Sequence, residues 1–69
     1  MKPTFYDNKI TFPNGYTISI ICKSGISYGA DQGLFEIAVI DTNGDILDDV
    51  HGYLSFEQVA EWIGKVRAM

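Results

Sequence analysis

Two Asn-Gly dipeptides, Asn14-Gly15 and Asn43-Gly44, each stand beside runs of strand-forming residues, and no other feature narrows the possible folds as far. Asn and Gly tolerate the positive φ of tight hairpin turns, so strand-Asn-Gly-strand predicts two antiparallel neighbours joined by a short connection. Asn14-Gly15, preceded by Pro13, separates Lys9-Ile10-Thr11-Phe12 from Tyr16-Thr17-Ile18-Ser19-Ile20-Ile21-Cys22. Side chains alternate along a strand, so Tyr16, Ile18, Ile20 and Cys22 share a predicted core face, and Thr17, Ser19, Ile21 and Lys23 share the other. Residues 34–40 alternate likewise, with Phe35, Ile37 and Val39 inward and Glu36 outward. The turn Asp41-Thr42-Asn43-Gly44-Asp45 then returns the chain into Ile46-Leu47.

Ser55 opens the one predicted helix. Ser55 and Gln58 have capping-box spacing, and Leu54 can pack on Val59 as a hydrophobic staple. Phe56, Val59, Ala60, Ile63 and Val66 recur every three or four residues as one apolar stripe, with Trp62 at its border. Glu57 and Glu61 fall on the opposite, wet face, and Glu61 to Lys65 has the spacing of a favourable i,i+4 pair. The expected fold is α+β: a three- or four-stranded antiparallel sheet of two hairpins, with the C-terminal helix packed on one face. Residues 1–69 form a single domain, because a chain this short buries only about 60% of its unfolded surface and has no room for a second core.

No apolar run approaches the length of a membrane span. Met1-Lys2-Pro3-Thr4-Phe5-Tyr6-Asp7 has no apolar signal-peptide core, so the expected location is cytoplasmic. The single cysteine, Cys22, can make neither an internal disulfide nor a structural zinc site, which suits a reducing compartment.

Charge is segregated along the chain. Between Lys23 and Lys65 there is no lysine or arginine, yet this interval holds Asp31, Glu36, Asp41, Asp45, Asp48, Asp49, Glu57 and Glu61. The flanks are basic: Lys2, Lys9 and Lys23 outweigh Asp7, and Lys65 and Arg67 end the chain, for a net charge of −4. Segregation of this kind creates a one-sided negative field that steers cationic partners. The same balance argues against direct nucleic-acid binding, which needs a basic surface, and against an anionic bilayer.

The candidate chemistries are weak. Asp41, Asn43 and Asp45 have the one-three-five spacing of a calcium loop, but Ile46 and Gly52 stand where its Gly and bidentate Glu belong. A hairpin turn accounts for the same residues. Cys22 and His51 could form a nucleophile pair if the fold brought them together, but Cys22 falls on the inward register, where a thiol behaves as a small hydrophobe. His51 is placed in the polar stretch before the helix. The glycine-rich connection 24–33 lacks the lysine and following helix of a phosphate loop, and Asp31 would repel the ligand. Paired acids such as Asp48-Asp49 need a deep cleft for acid–base work, which so small a domain scarcely has. The chain is therefore expected to have neither enzymatic activity nor a cofactor or metal. The connection 24–33 is long for a hairpin and reads either as a recognition loop carrying Tyr28 as an aromatic anchor or as a mobile excursion.

The segments Phe12-Pro13-Asn14-Gly15-Tyr16, Ser27-Tyr28-Gly29, Gly33-Leu34-Phe35-Glu36-Ile37-Ala38-Val39 and Asp48-Asp49-Val50-His51-Gly52-Tyr53-Leu54-Ser55 resemble a group of small phage and prophage proteins. In size, charge and compactness the chain is also similar to the anti-CRISPR inhibitors, several of which occupy the DNA-recognition surface of a type I surveillance complex as DNA mimics. The resemblance implies a monomeric inhibitor whose partner is a positively charged, nucleic-acid-binding subunit. Tyr28, Asp31, Asp41, Asp45, Asp48, Asp49, Glu57 and Glu61 would make the contact. The rival expectation is a protein-interaction or structural module of a phage, dimeric through a sheet face bearing Ile21, Leu34, Ala38 and Ile40.

Overall fold

The computed structural model describes residues 5–23 and 25–69, and of Phe5 the backbone alone. Lys2, the rest of the segment 1–4 and Ser24 at the head of the glycine-rich connection lie outside the described residues. Strands β1 (Phe5–Thr11), β2 (Thr17–Lys23), β3 (Phe35–Ile40) and β4 (His51–Leu54) precede helix α1 (Phe56–Arg67), and a 3-10 turn, Ala30–Gln32, lies between β2 and β3. The strands pair antiparallel in the order β1-β2-β3-β4, and α1 packs against the sheet. The fold is α+β with four strands.

The first Asn-Gly turn forms as its sequence requires. Gly15 N–H donates to Phe12 O at 2.9 Å, Phe12 N–H donates to Tyr16 O at 2.8 Å, and Gly15 takes φ 89°. A type I turn closed by a left-handed glycine matches the right-handed twist of the flanking strands. Asn14 has a second task. Its Oδ1 accepts from Tyr16 N–H at 3.0 Å, while its Nδ2 donates to Val66 O at 2.9 Å, Arg67 O at 3.2 Å and Met69 O at 3.3 Å. Carbonyls at a helix C-terminus have no partner within the helix, so this one amide ties the first hairpin to the end of α1.

The core follows the predicted register. Ile18, Ile20 and Cys22 are buried on β2, opposite Ile37 and Val39 on β3, through the pairs Ile18↔Val39 and Ile20↔Ile37. Val59 and Val66 of α1 close this layer, and Ile10, Phe12, Tyr16, Phe35, Leu47, Leu54, Trp62 and Ile63 pack around it. Burial of each such aliphatic side chain contributes about 1.5–3 kcal/mol. The capping box is complete: Gln58 N–H donates to Ser55 Oγ at 3.2 Å and Ser55 N–H to Gln58 Oε1 at 2.8 Å.

Four details depart from the sequence reading. The helix stripe is Val59, Trp62, Ile63 and Val66, whereas Phe56 is 76% exposed and Ala60 is also exposed. Trp62 offers far more apolar surface than Ala60, and it draws the helix toward β4 by stacking on His51, ring centroids 4.4 Å apart. His51 accordingly belongs to β4, opposite Ile37, and not to a polar connection. Ile46-Leu47 supplies only an isolated bridge, Ile40↔Ile46, with Leu47 N–H donating to Val39 O at 2.7 Å. The true fourth strand comes later, after the chain reverses at Asp48 with φ 61°. Finally, Lys65 lies 4.8 Å over the Trp62 ring instead of pairing with Glu61. A cation over an indole face is worth at least as much as an exposed i,i+4 ion pair.

Loss of the hairpin-to-helix tie is measurable. Asn14→Ala is expected to lower stability by about 1–2 kcal/mol, which thermal unfolding reads as a fall of about 4–8 °C per kcal/mol in a domain of this size.

Candidate functional site

The glycine-rich connection is pinned to the sheet, not a loose excursion. Lys23 O accepts from the N–H groups of Ile26 and Ser27, both at 2.9 Å, and the buried Ser27 Oγ accepts from Lys23 N–H at 2.8 Å. Gly29 adopts φ 90° in tight contact with β4, where a Cβ would lie 2.9 Å from Tyr53 Cα. Its carbonyl accepts from Gln32 and Leu34, which closes the 3-10 turn and buries Ala30. Tyr28 is held from both sides: its N–H donates to Glu36 Oε1 at 2.8 Å, and its carbonyl accepts from Tyr53 N–H at 3.3 Å.

This anchoring assembles an aromatic pair that the sequence reading saw only half of. Tyr28 and Tyr53 stack with ring centroids 6.3 Å apart and planes inclined by 22°. Both stay open to solvent, at 59% and 58% exposure. Tyr53 reaches its place because β4 carries one extra residue: three steps from His51 to Leu54 face two steps from Phe35 to Ile37. Such a bulge re-aims a side chain, and here Tyr53 takes φ 59°. Gly52 provides the room, since a Cβ on it would overlap Tyr28 Cβ. The only sequence signal was Gly52 beside an aromatic residue, which does not announce a bulge.

The carboxylates divide into two kinds. Asp41 and Glu36 are half-buried and committed to the fold. Asp41 Oδ1 accepts from Asn43 N–H at 2.9 Å and Asp45 N–H at 3.0 Å, shaping the second Asn-Gly turn, and Glu36 holds Tyr28. Asp31, on the 3-10 turn, and Asp45, Asp48, Asp49, Glu57 and Glu61 are exposed. Asp49 Oδ1 also accepts from Val50 N–H at 2.7 Å, which orients the connection into β4. Glu57 lies in the first turn of α1, where the helix dipole favours a negative charge. Among the described residues, Asp45, Asp48, Asp49, Glu57 and Glu61 form no salt bridge, and the described ion pair is Lys23 with Asp7 at 2.9 Å.

These groups are strung along the molecule, not gathered into one knot. The Asp41–Asp45 turn lies at the sheet end shared with the first hairpin, where Thr42 touches the position a Gly15 Cβ would take. Asp31, Tyr28 and Glu57 lie toward the other end, where Phe35 pairs with Leu54 and α1 begins. Asp48 and Asp49 occupy the connection between the two ends. Among the described residues no three His, Cys, Asp or Glu side chains come close enough to hold a metal ion.

Cys22 and His51 do not meet. Cys22 is buried on β2, while His51 stacks on Trp62 from β4, with β3 between the two strands. Two strand spacings separate them by about 10 Å. The sheet face away from the helix is mixed in character. Ile21, Leu34, Ala38 and Ile40 are each half-buried, and the β1 and β2 positions of that face include Asp7, Lys9, Thr11, Thr17 and Ser19. No helix among the described residues is long and apolar enough to cross a membrane. Comparison with protein families, curated proteins and solved structures returns no match.

The seat of the tyrosine pair can be probed directly. Gly52→Ala is expected to cost about 1–3 kcal/mol through overpacking and to alter the tyrosine near-ultraviolet circular dichroism. Gly64→Ala, a helical position with nothing within 4 Å of the added Cβ, should instead gain up to about 1 kcal/mol with the spectrum unchanged.

Proposed function

We propose that this chain is a non-catalytic inhibitor that occupies the basic, nucleic-acid-binding surface of a host defence nucleoprotein complex. Its resemblance to small acidic phage proteins and anti-CRISPR inhibitors makes a type I CRISPR surveillance complex the target of choice. The observation that carries this reading is the set of exposed carboxylates, Asp45, Asp48, Asp49, Glu57 and Glu61, with no cation paired to them among the described residues. Carboxylates already matched by neighbouring lysines would have little left for a partner, whereas unmatched ones keep their full field.

The spacing of these groups suits the role. Glu57 and Glu61 are one helical turn apart, about 6 Å along the axis, roughly twice the axial distance of about 3.4 Å between phosphates on one DNA strand. A groove lined with Lys and Arg to follow a phosphate backbone meets negative points here. The Tyr28–Tyr53 pair adds what phosphates lack: exposed, rigidly seated aromatic faces on which a guanidinium can stack. Tyrosine and arginine are the residue types that dominate interface energetics. The partner is thus a cationic protein surface, and the contact needs neither cofactor nor bond chemistry.

Competition for target DNA tests the reading. Purified protein titrated into a type I surveillance complex is expected to abolish target-DNA binding in a mobility-shift assay, and more weakly as salt is raised, because screening acts on exposed charges. Asp48 sits at positive φ, which Asn tolerates better than most residues, so the informative variant is Asp48→Asn/Asp49→Asn/Glu57→Gln/Glu61→Gln. It should stay folded, with stability lowered by no more than about 1 kcal/mol from the lost Glu57 charge at the helix start, and lose at least tenfold in inhibitory potency, about 1.4 kcal/mol. Inhibition that ignores both salt and these four substitutions would remove the basis for charge-driven occupancy.

A further inference from the structure

The two edges of the sheet are treated differently. β4 is short, bulged and covered by the connection 25–33 through Tyr53 N–H to Tyr28 O, which are the usual protections of an edge. Among the described residues β1 has none of these, and its edge protection is limited to the charges of Asp7 and Lys9. It runs seven residues, pairs with β2 in continuous register from Phe5↔Lys23 to Thr11↔Thr17, and has no strand of the described residues on its other side. Because Phe12 N–H donates to Tyr16 O and hydrogen-bonded pairs alternate along an antiparallel ladder, residues 6, 8 and 10 direct their backbone groups at β2. The N–H and C=O groups of residues 5, 7, 9 and 11 therefore face outward.

We propose that β1 is a self-recognition edge, through which two copies of this chain pair antiparallel about a two-fold axis at Asn8 to make one continuous eight-stranded sheet. The argument lies in the register. Pairing about Asn8 sets Phe5 opposite Thr11, Asp7 opposite Lys9 and Tyr6 opposite Ile10 of the other copy. Each outward-facing residue then meets another outward-facing residue, so every free backbone group of the edge finds a partner. A shift of the axis to Asp7 or Lys9 sets like charges against each other, and pairing of odd with even residues turns side chains to the wrong face. Only the Asn8 axis forms two opposite-charge pairs, Asp7 with Lys9 on each side, and there Asp7, which pairs with Lys23 of its own chain at 2.9 Å, would lie between two lysines. Lys9 is exposed and makes no salt bridge among the described residues.

The other face of β1 supports the same geometry. α1 packs over β2, β3 and β4, and leaves an apolar groove beside β1 bordered by Tyr6, Ile10, Phe35, Phe56 and Ile63. Phe56 is the most exposed of these, at 76%, and Tyr6 is 42% exposed. Tyr6 and Ile10 are the residues the Asn8 axis brings against Ile10 and Tyr6 of the second copy, so the two grooves become continuous and their apolar walls are covered together. Backbone pairing supplies affinity in such strand addition, and alternate side chains supply selectivity. The edge is separate from the acidic groups assigned to the inhibitory contact, so either conclusion can fail without the other.

Mass measurement by sedimentation or light scattering decides the matter. The wild-type chain is expected to pass from 7.7 kDa toward twice that value as concentration rises to about 1 mM, a range that detects even a dimer held by about 4 kcal/mol. Lys9→Asp alone and Asp7→Lys alone each set like charges across the axis and should remain single chains. Mixed in equal amounts they restore both opposite-charge pairs and should form a heterodimer. Asn8→Cys, which meets itself at the axis, should cross-link to a dimer under oxidised glutathione, with the buried Cys22 inert. A wild-type chain that stays at one-chain mass throughout would overturn the proposal, as would single variants that dimerise like wild type or a mixture that does not associate.

Discussion

The register of β2 on β3 is the constraint from which the rest of the molecule follows. Ile18 opposite Val39 and Ile20 opposite Ile37 place four β-branched side chains on one face, and Val59 and Val66 of α1 close over them. A slip of β2 by one residue against β3 would turn Ile18 and Ile20 to solvent and present Thr17 and Ser19 to the helix instead. The two turns and the helix cap reinforce that register. The Gly15 turn sets where β2 starts relative to β1, and Asn14 sets where α1 ends relative to both.

A core this small leaves little choice about where charge can go. The inward positions of the strands and one face of the helix are taken by aliphatic and aromatic groups, so the carboxylates fall on turns, on the connection into β4, on the outer helix face and on the sheet face away from the helix. Three of them were recruited to shape the backbone: Asp41 organises its turn through two amide hydrogens, Glu36 holds the loop that carries Tyr28, and Asp49 accepts from Val50 N–H. Asp45, Asp48, Glu57 and Glu61 extend into solvent. The lysine that could have neutralised Glu61 lies over Trp62, which contributes to leaving the helix face negative. The exposed negative charge is in this sense the complement of the core, since it occupies the positions that packing does not need.

The same competition explains what could be read in advance. The Asn14-Gly15 hairpin, the alternation of Ile18, Ile20 and Cys22, the inward Ile37 and Val39, and the Ser55–Gln58 capping box all rest on interactions between residues near in sequence, and all were legible. β4 was not, because His51-Gly52-Tyr53-Leu54 has no clean alternation and its glycine weakens a strand by any local measure. It is a strand because β3 offers an edge and Trp62 covers His51. Phe56 fitted the helical period, yet the apolar arc turned toward the heavier Trp62. Among the candidate site residues, Tyr28 was identifiable as an aromatic in a long loop, but its partner Tyr53 depended on a bulge that no local pattern encodes.

Sequence alone thus determined the class of fold, the strand faces, the helix start and the excess of negative charge in the middle of the chain. Each of these is set by periodicity, turn chemistry or composition within a few residues. Tertiary structure decided which aromatic rings met, which carboxylates were spent on backbone hydrogen bonds, where Lys65 settled and which strands form the two edges of the sheet. Those outcomes depend on contacts between segments tens of residues apart, where volume and hydrogen-bond geometry choose among pairings that the local sequence leaves equally available.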